Sequence, residues 1–346
     1  MRQDPRSSNE TASVISLKYN NDENLATLLS NTTTEKRSIP ELTPLTCWTA
    51  KLLFRADAEY PSVKESLIEV NWSEACRLPA QCTISPTSAE EVSLAMKVIP
   101  FLQVPFAVRS GGHSSNPYWS SIGFNGILIS TTNLDSIAIS SDSSIASIGP
   151  GLRRGAVYEA LDPYGVSVIG GRTPRLGRWV VLATGEIVNA NAETNSGLFW
   201  ALKVGGPNFG CSMGLVYSEP AIYPDAFTPF AAIPNGIVRV PAANATVSLL
   251  STILGRWTTI TNWASVDDDN AVLDAVKSIG DQFETLGAAR DTNLSYLYMN
   301  DCYADQNPLA QYPPASIKAM KEIAAKYDLI WVFQLLQKGF GFGGKF

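Results

Sequence analysis

The chain has 346 residues, of which 45% are hydrophobic and 17% charged, and its formal net charge is −6. This length allows a large core divided between two lobes. The acidic balance and the lack of a Lys/Arg cluster argue against a nucleic-acid or anionic-membrane partner. No uninterrupted run of 18 apolar residues occurs, so we predict no membrane span.

The first part of the chain changes from a polar tail to a capped helix. Residues 1–40 are rich in Asn, Ser and Thr, which predicts a loosely packed tail. Ser88 and Glu91 have the spacing of a capping box, and apolar residues follow at helical spacing. We therefore predict a helix that begins after Ser88 and ends before Pro100.

The rest of the chain mixes short strands with helices, which predicts an α+β fold rather than a regular βαβ alternation. Trp179–Val188 is typical of a hairpin with Gly185 in its turn. The acidic run Asp267–Asp269 is typical of a helix start rather than of a cation site, and we predict no metal site. The other predicted strands are Phe106–Arg109, Gly126–Thr131, Ser136–Ser140, Ser144–Gly149, Val166–Ile169 and Tyr296–Asn300, and the other predicted helices are Arg153–Leu161, Asn195–Lys203, Asn270–Leu286 and Ser316–Tyr327.

The five cysteines leave the redox compartment open. Cys47, Cys76 and Cys82 lie near the start, so either a disulfide among them or buried free thiols fits; Cys211 and Cys302 lie far away. Five Asn-x-Ser/Thr sequons favour secretion and glycosylation, but the first residues have no apolar segment of a signal peptide. The sequons are at Asn9, Asn31, Asn71, Asn244 and Asn293.

His113, the chain's only histidine, lies in Arg109-Ser-Gly-Gly-His-Ser114, directly after a predicted strand. A strand that runs into Ser-Gly-Gly exposes successive main-chain N–H groups, which form a concave anion site suited to a diphosphate. A nucleophilic imidazole beside that site indicates a cofactor with both a diphosphate and an electrophilic carbon. FAD has both.

These residues resemble the flavin-attachment loop of the PCMH-type, berberine-bridge-enzyme-like FAD-linked oxidoreductases of fungi. The resemblance spans roughly residues 75–224 and 294–346. The motifs that carry it are Phe106–Ser114, Gly149–Gly151, Tyr158–Gly165, Val168–Arg172, Thr184–Asn191, Asn195–Lys203, Gly206–Gly210, Tyr298–Asp301, Gln306–Pro308 and Lys326–Asp328.

The resemblance implies a role for each matching residue. His113 would bond to the 8α-methyl of the flavin, and Gly170 and Gly171 would pass close to the flavin ring. The main chain of Arg109, Ser110, Gly111, Gly112, His113 and Ser114 would wrap the pyrophosphate. Tyr298 and Asn300 would lie by the ring, with Tyr298 as a proton acceptor, although a structural tyrosine fits equally well.

The same resemblance implies four regions: 1–40, a polar tail; 41–224, the FAD-binding PCMH-type domain; 225–293, a reduced substrate domain; and 294–346, a segment that returns to the FAD domain. The implied activity is hydride transfer from a small organic substrate, such as a secondary metabolite, to FAD in a monomer, with dioxygen or another acceptor reoxidising the flavin. An inactive FAD-binding remnant is the alternative.

Gly171–Arg175 contains no cysteine for a second flavin attachment, so we expect attachment through His113 alone. Three other departures from the family motivate the alternative of an inactive remnant. The family's glycine-rich loop is missing after Gly177, where the hairpin follows at once, and Gly210–Gly214 is irregular where the family runs smoothly into a strand. The substrate domain also looks far too short.

Overall fold

The structure, a computed structural model, describes residues 70–166, 168, 176–218, 265–289 and 297–342. The chain divides into two compact units. The first comprises Met1–Pro220, Tyr303–Asp305 and Tyr312–Phe346, and the second comprises Ala221–Cys302 and Gln306–Gln311. The sequence predicted four regions, and the boundaries of these regions stay a prediction.

The described residues confirm the predicted mixture of strands and helices. The strands are β1 (Cys82–Ile84), β2 (Phe106–Arg109), β3 (Ile127–Ser130), β4 (Ile137–Ile139), β5 (Ile145–Ile148), β6 (Leu176–Val181), β7 (Ile187–Ala190) and β8 (Cys211–Ser218). The helices are α1 (Ala89–Leu102), α2 (Arg154–Leu161), α3 (Ser196–Val204), α4 (Asp269–Ala289), α5 (Pro314–Tyr327) and α6 (Val332–Leu335).

A small parallel sheet with the order β1-β3-β2 lies in the main core of the first unit. Its strands are almost wholly buried and apolar, as expected of a parallel sheet covered on both faces. Helix α1 covers one face, and Phe106 contacts Phe333 edge-on, with ring centroids 6.1 Å apart. Because β2 and β3 are parallel, Arg109 and Ser130 end them at the same edge.

A larger antiparallel sheet with the order β4-β5-β8-β6-β7 completes the first unit. The predicted hairpin is confirmed as β6 and β7, and Gly185 has the positive φ of 79° that its turn requires. The irregularity at Gly210–Gly214 is a β-bulge: Trp179 pairs with Gly214 and Val180 with Ser212, so Met213 is the extra residue.

Helix α1 begins as predicted but ends later. The Ser88 hydroxyl accepts a hydrogen bond from the Glu91 N–H at 3.3 Å, whereas the Glu91 carboxylate accepts from the Thr87 N–H at 2.7 Å, one residue earlier than in a strict capping box. The predicted end before Pro100 is wrong. The helix continues to Leu102 because Gln103 turns left-handed and donates its N–H to the carbonyls of Ile99 and Pro100, which closes the last turn.

The other strand predictions are confirmed with small shifts in their ends, except for two segments. Val166 and Val168 are not in a strand, and residues 167 and 169 lie outside the described residues. The strand predicted over Tyr296–Asn300 is wrong in its described part. Met299–Asp301 is a single 3₁₀ turn, closed by hydrogen bonds from Asp301 N to Tyr298 O and from Cys302 N to Met299 O.

Buried polar groups hold the chain's last described segment. The Asp328 carboxylate accepts the N–H groups of Val332 and Phe333 at 2.7 and 2.9 Å, and it thereby caps α6. The Asn208 amide donates to the Phe340 carbonyl at 2.8 Å and accepts from Gln334 at 2.7 Å. These side chains therefore fix the path of the chain after α6.

The cysteines divide between the two predicted states. Cys82 is disulfide-bonded, with its partner outside the described residues, whereas Cys76, Cys211 and Cys302 are buried free thiols. Asn71, one of the five predicted glycosylation sites, is 2% exposed and therefore inaccessible in the fold. The other four sequons lie outside the described residues. Among the helices of the described part, none is long and apolar enough to cross a bilayer.

We expect Gly151→Ala to destabilise the first unit. Its Cβ would lie 2.2 Å from the Thr131 carbonyl oxygen and 2.9 Å from that of Thr132, so the backbone must move, at a cost of about 1–3 kcal/mol. Gly155→Ala in α2 is the matched control. Its Cβ meets nothing within 4 Å, so a gain of about 0.5–1 kcal/mol is expected. Urea unfolding of both variants measures the difference; equal stabilities would contradict this packing.

We expect the stability of the β4–β5 turn to depend on pH through Asp142. Hydrogen bonds from the hydroxyl of Ser140 and from the N–H and hydroxyl of Ser144 lower the pKa of Asp142 from 3.8 to about 2. Because the folded value is the lower one, this contribution is complete above the unfolded pKa and disappears as the pH falls toward 2. An NMR titration should show the Asp142 pKa rising in Ser140→Ala but not in the exposed control Ser141→Ala.

Candidate cofactor site

The candidate site begins where β2 leaves the parallel sheet. Arg109 is the last strand residue, and Ser110–Ser114 form the loop that follows. The Arg109 carbonyl accepts both the N–H and the hydroxyl of Thr131, at 2.9 and 3.2 Å, so the start of the loop is tied to the end of β3. The carboxyl edge of a parallel sheet is where ligands of such folds commonly bind.

The loop presents a row of open main-chain donors. Within the described part of the chain, the N–H groups of Ser110, Gly111, Gly112 and His113 donate no hydrogen bond. Gly112 has a φ of 68°, and such left-handed turns direct neighbouring N–H groups into one concave anion site. A Cβ built on Gly111 meets nothing within 4 Å, so open space adjoins the loop at that point.

A glycine turn packs closely against the base of this loop. The Ser110 hydroxyl donates to the Pro150 carbonyl, between Gly149 and Gly151. A Cβ on Gly149 would lie 2.1 Å from the Leu134 carbonyl oxygen, and one on Gly151 would lie 2.2 Å from that of Thr131. Gly149 and Gly151 have no room for a side chain because main-chain segments approach each other closely there.

Arg109, the strand residue from which the loop starts, is a buried cation. Its side chain is 1% exposed, and one guanidinium N–H donates to the Ser130 hydroxyl at 3.3 Å. Burial lowers the pKa of Arg109, which still leaves an arginine charged at neutral pH. The positive charge and the open N–H groups both favour an anion at this edge of the sheet.

His113 itself is exposed, while the residues on either side of it are anchored. The carbonyls of Gly112 and Ser114 each accept a hydrogen bond from the segment 70–77. The Ser114 hydroxyl accepts the Asn116 N–H at 3.2 Å, and the buried Asn116 side chain accepts the Ala304 N–H at 2.9 Å. The sequence reasoning missed Trp72, Cys76 and Asn116, because these contacts join residues distant in sequence.

The remaining predicted site residues lie elsewhere. Gly170 and Gly171 are outside the described residues. Tyr298 and Asn300 belong to the second unit, where the Asn300 amide donates to the Tyr298 hydroxyl oxygen at 3.3 Å. The structure therefore brings together Arg109–Ser114 in one unit and Tyr298 with Asn300 in the other.

The site and its fold define an FAD-binding domain. Residues 80–170 match the protein family described as "FAD binding domain", and the loop with its open N–H groups lies inside that match. Curated relatives of the chain are fungal FAD-dependent enzymes. The chain is therefore similar to FAD-linked oxidoreductases, and its described residues have the α+β mixture of strands and helices that its sequence predicted.

Two relatives show how much of such a protein the chain contains. It is 28% identical to an FAD-dependent monooxygenase of Arthrobotrys oligospora over 85% of this chain and 88% of that protein. The alignment has 451 positions, so the relative contains more than a hundred residues with no counterpart in these 346. The chain is also 40% identical to an FAD-dependent monooxygenase of Aspergillus niger over 42% of its length, and it spans about a third of that protein.

Among solved structures, the 6-hydroxy-D-nicotine oxidase of Arthrobacter nicotinovorans is similar over 48% of this chain and 42% of its own. The TM-score is 0.43 and the sequence identity is 23%.

The described residues fit FAD. The open N–H groups from Ser110 to His113 suit a diphosphate, Gly111 leaves space beside them, and the His113 side chain is accessible to a flavin carbon. The predicted cofactor, FAD, is the one that the matched domain binds.

We expect Gly111→Ala and Gly112→Ala to fail differently. A Cβ on Gly112 would lie 2.8 Å from the Val70 carbonyl oxygen at a positive φ, so this variant should melt at a lower temperature. Gly111→Ala should keep the melting temperature of the cofactor-free protein but weaken FAD binding about tenfold or more, because its methyl group enters the space beside the open N–H groups. Thermal melts and FAD titrations separate the two effects. Unchanged FAD affinity in Gly111→Ala would place the diphosphate elsewhere.

Proposed function

We propose that the chain is an oxidoreductase in which His113 holds FAD covalently and a small organic substrate gives up a hydride. The observation that carries this proposal is the exposed imidazole at the end of a row of open main-chain donors. Flavin bound there would supply the two-electron acceptor. The protein's own part is to bind, orient and electrostatically favour that cofactor.

Covalent attachment is supported by what the loop offers His113. The four open N–H groups would hold the diphosphate, and the buried Arg109, at the start of the loop, would add positive charge. This arrangement would keep the cofactor in reach of one imidazole, as a bond to the flavin requires. The resemblance assigns that bond to the 8α-methyl group.

The proposal also covers the residues that would act on the substrate and the class of that substrate. Tyr298 is the proposed proton acceptor, and Asn300, whose amide donates to the Tyr298 oxygen, is its proposed partner. The resemblance assigns these roles and indicates a secondary metabolite or a carbohydrate-like alcohol as substrate. Dioxygen is the proposed final acceptor, in keeping with the monooxygenase names of the fungal relatives.

A second candidate function is a remnant of the family that does not turn over substrate. The observation that favours it is length: more than a hundred residues of the Arthrobotrys relative have no counterpart here. Strand β6 runs from Leu176 to Val181 and so continues through the point after Gly177 where the resemblance implies a glycine-rich loop. Under this second proposal, the residues that would shape a substrate pocket are among those that the chain lacks.

We expect purified protein incubated with FAD to stay yellow after acid precipitation, because acid releases only non-covalent flavin. His113→Ala should release its flavin to the supernatant. Ser115→Ala, at an exposed position directly after the loop, is the control and should keep its colour. Visible absorbance of pellet and supernatant measures both fractions.

Each contrary result has a distinct meaning. Flavin retained by the His113→Ala pellet would contradict attachment through His113. A folded wild-type protein that cannot be loaded with FAD would contradict the oxidoreductase proposal and leave the remnant.

A further inference from the structure

A short segment before the matched domain grips the loop on both sides of His113. We name Val70–Arg77 the clasp. The Trp72 N–H donates to the Gly112 carbonyl at 2.9 Å, and the Cys76 thiol donates to the Ser114 carbonyl at 3.3 Å. Both acceptors adjoin His113 in the chain, so the clasp restrains the main chain immediately before and after the proposed attachment residue.

The clasp is itself held rigid. The Cys76 N–H donates to the Ser73 carbonyl at 3.0 Å, which closes a 3₁₀ turn. Arg77 donates to the Asn71 carbonyl and to the Glu74 carboxylate, at 3.3 and 3.2 Å. Asn71 and Cys76 are buried, at 2% and 0% exposure, so the contact of the Cys76 thiol with the loop is shielded from water.

Cys76 is a free, protonated thiol and can therefore donate a hydrogen bond. Cys82, six residues later, is disulfide-bonded, whereas Cys76 is a free thiol. Burial raises the pKa of Cys76 above 9.0, although a hydrogen bond with Ser73 lowers it in part. The group therefore keeps its proton at neutral pH and can donate it to the Ser114 carbonyl, which a thiolate would repel.

The clasp also packs closely against Gly112. Its absent Cβ would lie 2.8 Å from the Val70 carbonyl oxygen, so the clasp and the loop are in direct main-chain contact. The family match begins at residue 80, so the clasp is a feature outside the matched domain. An anchored main chain with an exposed side chain restricts the imidazole to rotation about its own bonds, which favours one reactive orientation.

We propose that Cys76 is a positioning residue for flavin attachment: through the Ser114 carbonyl, and together with the Trp72 N–H, it sets the orientation of His113. This inference rests on the proposed attachment of FAD to His113. The Cys76 thiol reaches the loop through the Ser114 carbonyl and takes no part in the bond itself.

The test compares three variants of the full chain. Cys76→Ala removes the donor, and Cys76→Ser restores one. Cys211→Ala is the matched control, because Cys211 is also a buried free thiol, lies in β8 and has a pKa raised by burial to about 12. We measure the rate of covalent flavin incorporation from FAD and, separately, the imidazole NMR signal of the chain's only histidine without FAD.

We expect Cys76→Ala to incorporate flavin about fivefold more slowly, the effect of losing one ordinary hydrogen bond, and to show a broadened or split imidazole signal. Cys76→Ser should stay within about twofold of wild type, since a hydroxyl also donates. Cys211→Ala should change neither readout, even if it lowers the melting temperature as much as Cys76→Ala does.

Other outcomes overturn the inference. A wild-type rate and imidazole signal in Cys76→Ala would exclude positioning, and equal effects in Cys211→Ala would reduce it to general stability. If Cys76→Ala does not fold, Cys76→Val fills the space without a donor and decides in the same way. If the wild-type protein attaches no flavin, the proposed function fails, while the imidazole signal still tests whether Cys76 orients His113.

Discussion

The geometry of the turn from β2 into Ser110–His113 is the constraint on which the site depends. The turn starts at the carboxyl edge of the parallel sheet, where the Arg109 carbonyl is held by Thr131. It can leave the sheet with its N–H groups open only because Gly112 adopts a φ of 68°. The clasp then holds the turn from one side, and Gly149–Gly151 packs against it from another.

This arrangement also explains how an acidic protein offers a site for an anion. The net charge of −6 would repel a diphosphate at long range. Close to the loop, the dipoles of the main-chain N–H groups and the buried guanidinium of Arg109 would instead attract an anion. The surrounding protein screens this attraction less than water does. The charges close to the loop would therefore affect binding of the cofactor's diphosphate more than the net charge of the whole chain does.

The parts of the candidate site lie close together in the sequence. The loop Ser110–Ser114, the edge of the parallel sheet from which it starts and the turn Gly149–Gly151 all lie within the matched residues 80–170. The hairpin of β6 and β7 comes next in the chain. Strand β8 pairs with β6, and the register of this pair shifts by one residue at the bulge at Met213. The residues that are proposed to hold the FAD diphosphate therefore lie together in one stretch of the chain.

Local patterns in the sequence were enough for most elements and for the centre of the site. Strand β2, the Ser88 cap of α1 and the turn at Gly185 follow from residue type and spacing, because near neighbours determine them. The sequence pattern gave a wrong prediction at two places. The helix predicted to end before Pro100 continues to Leu102 and is closed at Gln103, and a 3₁₀ turn at Met299–Asp301 replaces the predicted strand. In each case, hydrogen bonds at the end of the element outweigh the propensity of its residues.

The sequence by itself determined that Ser110-Gly-Gly-His113 follows a strand, and with it the class of cofactor. Only the tertiary structure decided what holds that loop. Cys76 lies 38 residues from Ser114, and Asn116 lies 188 residues from Ala304, yet hydrogen bonds join both pairs. Residue spacing cannot reveal such partners, because folding brings them together only after the sheet and its flanking segments have packed.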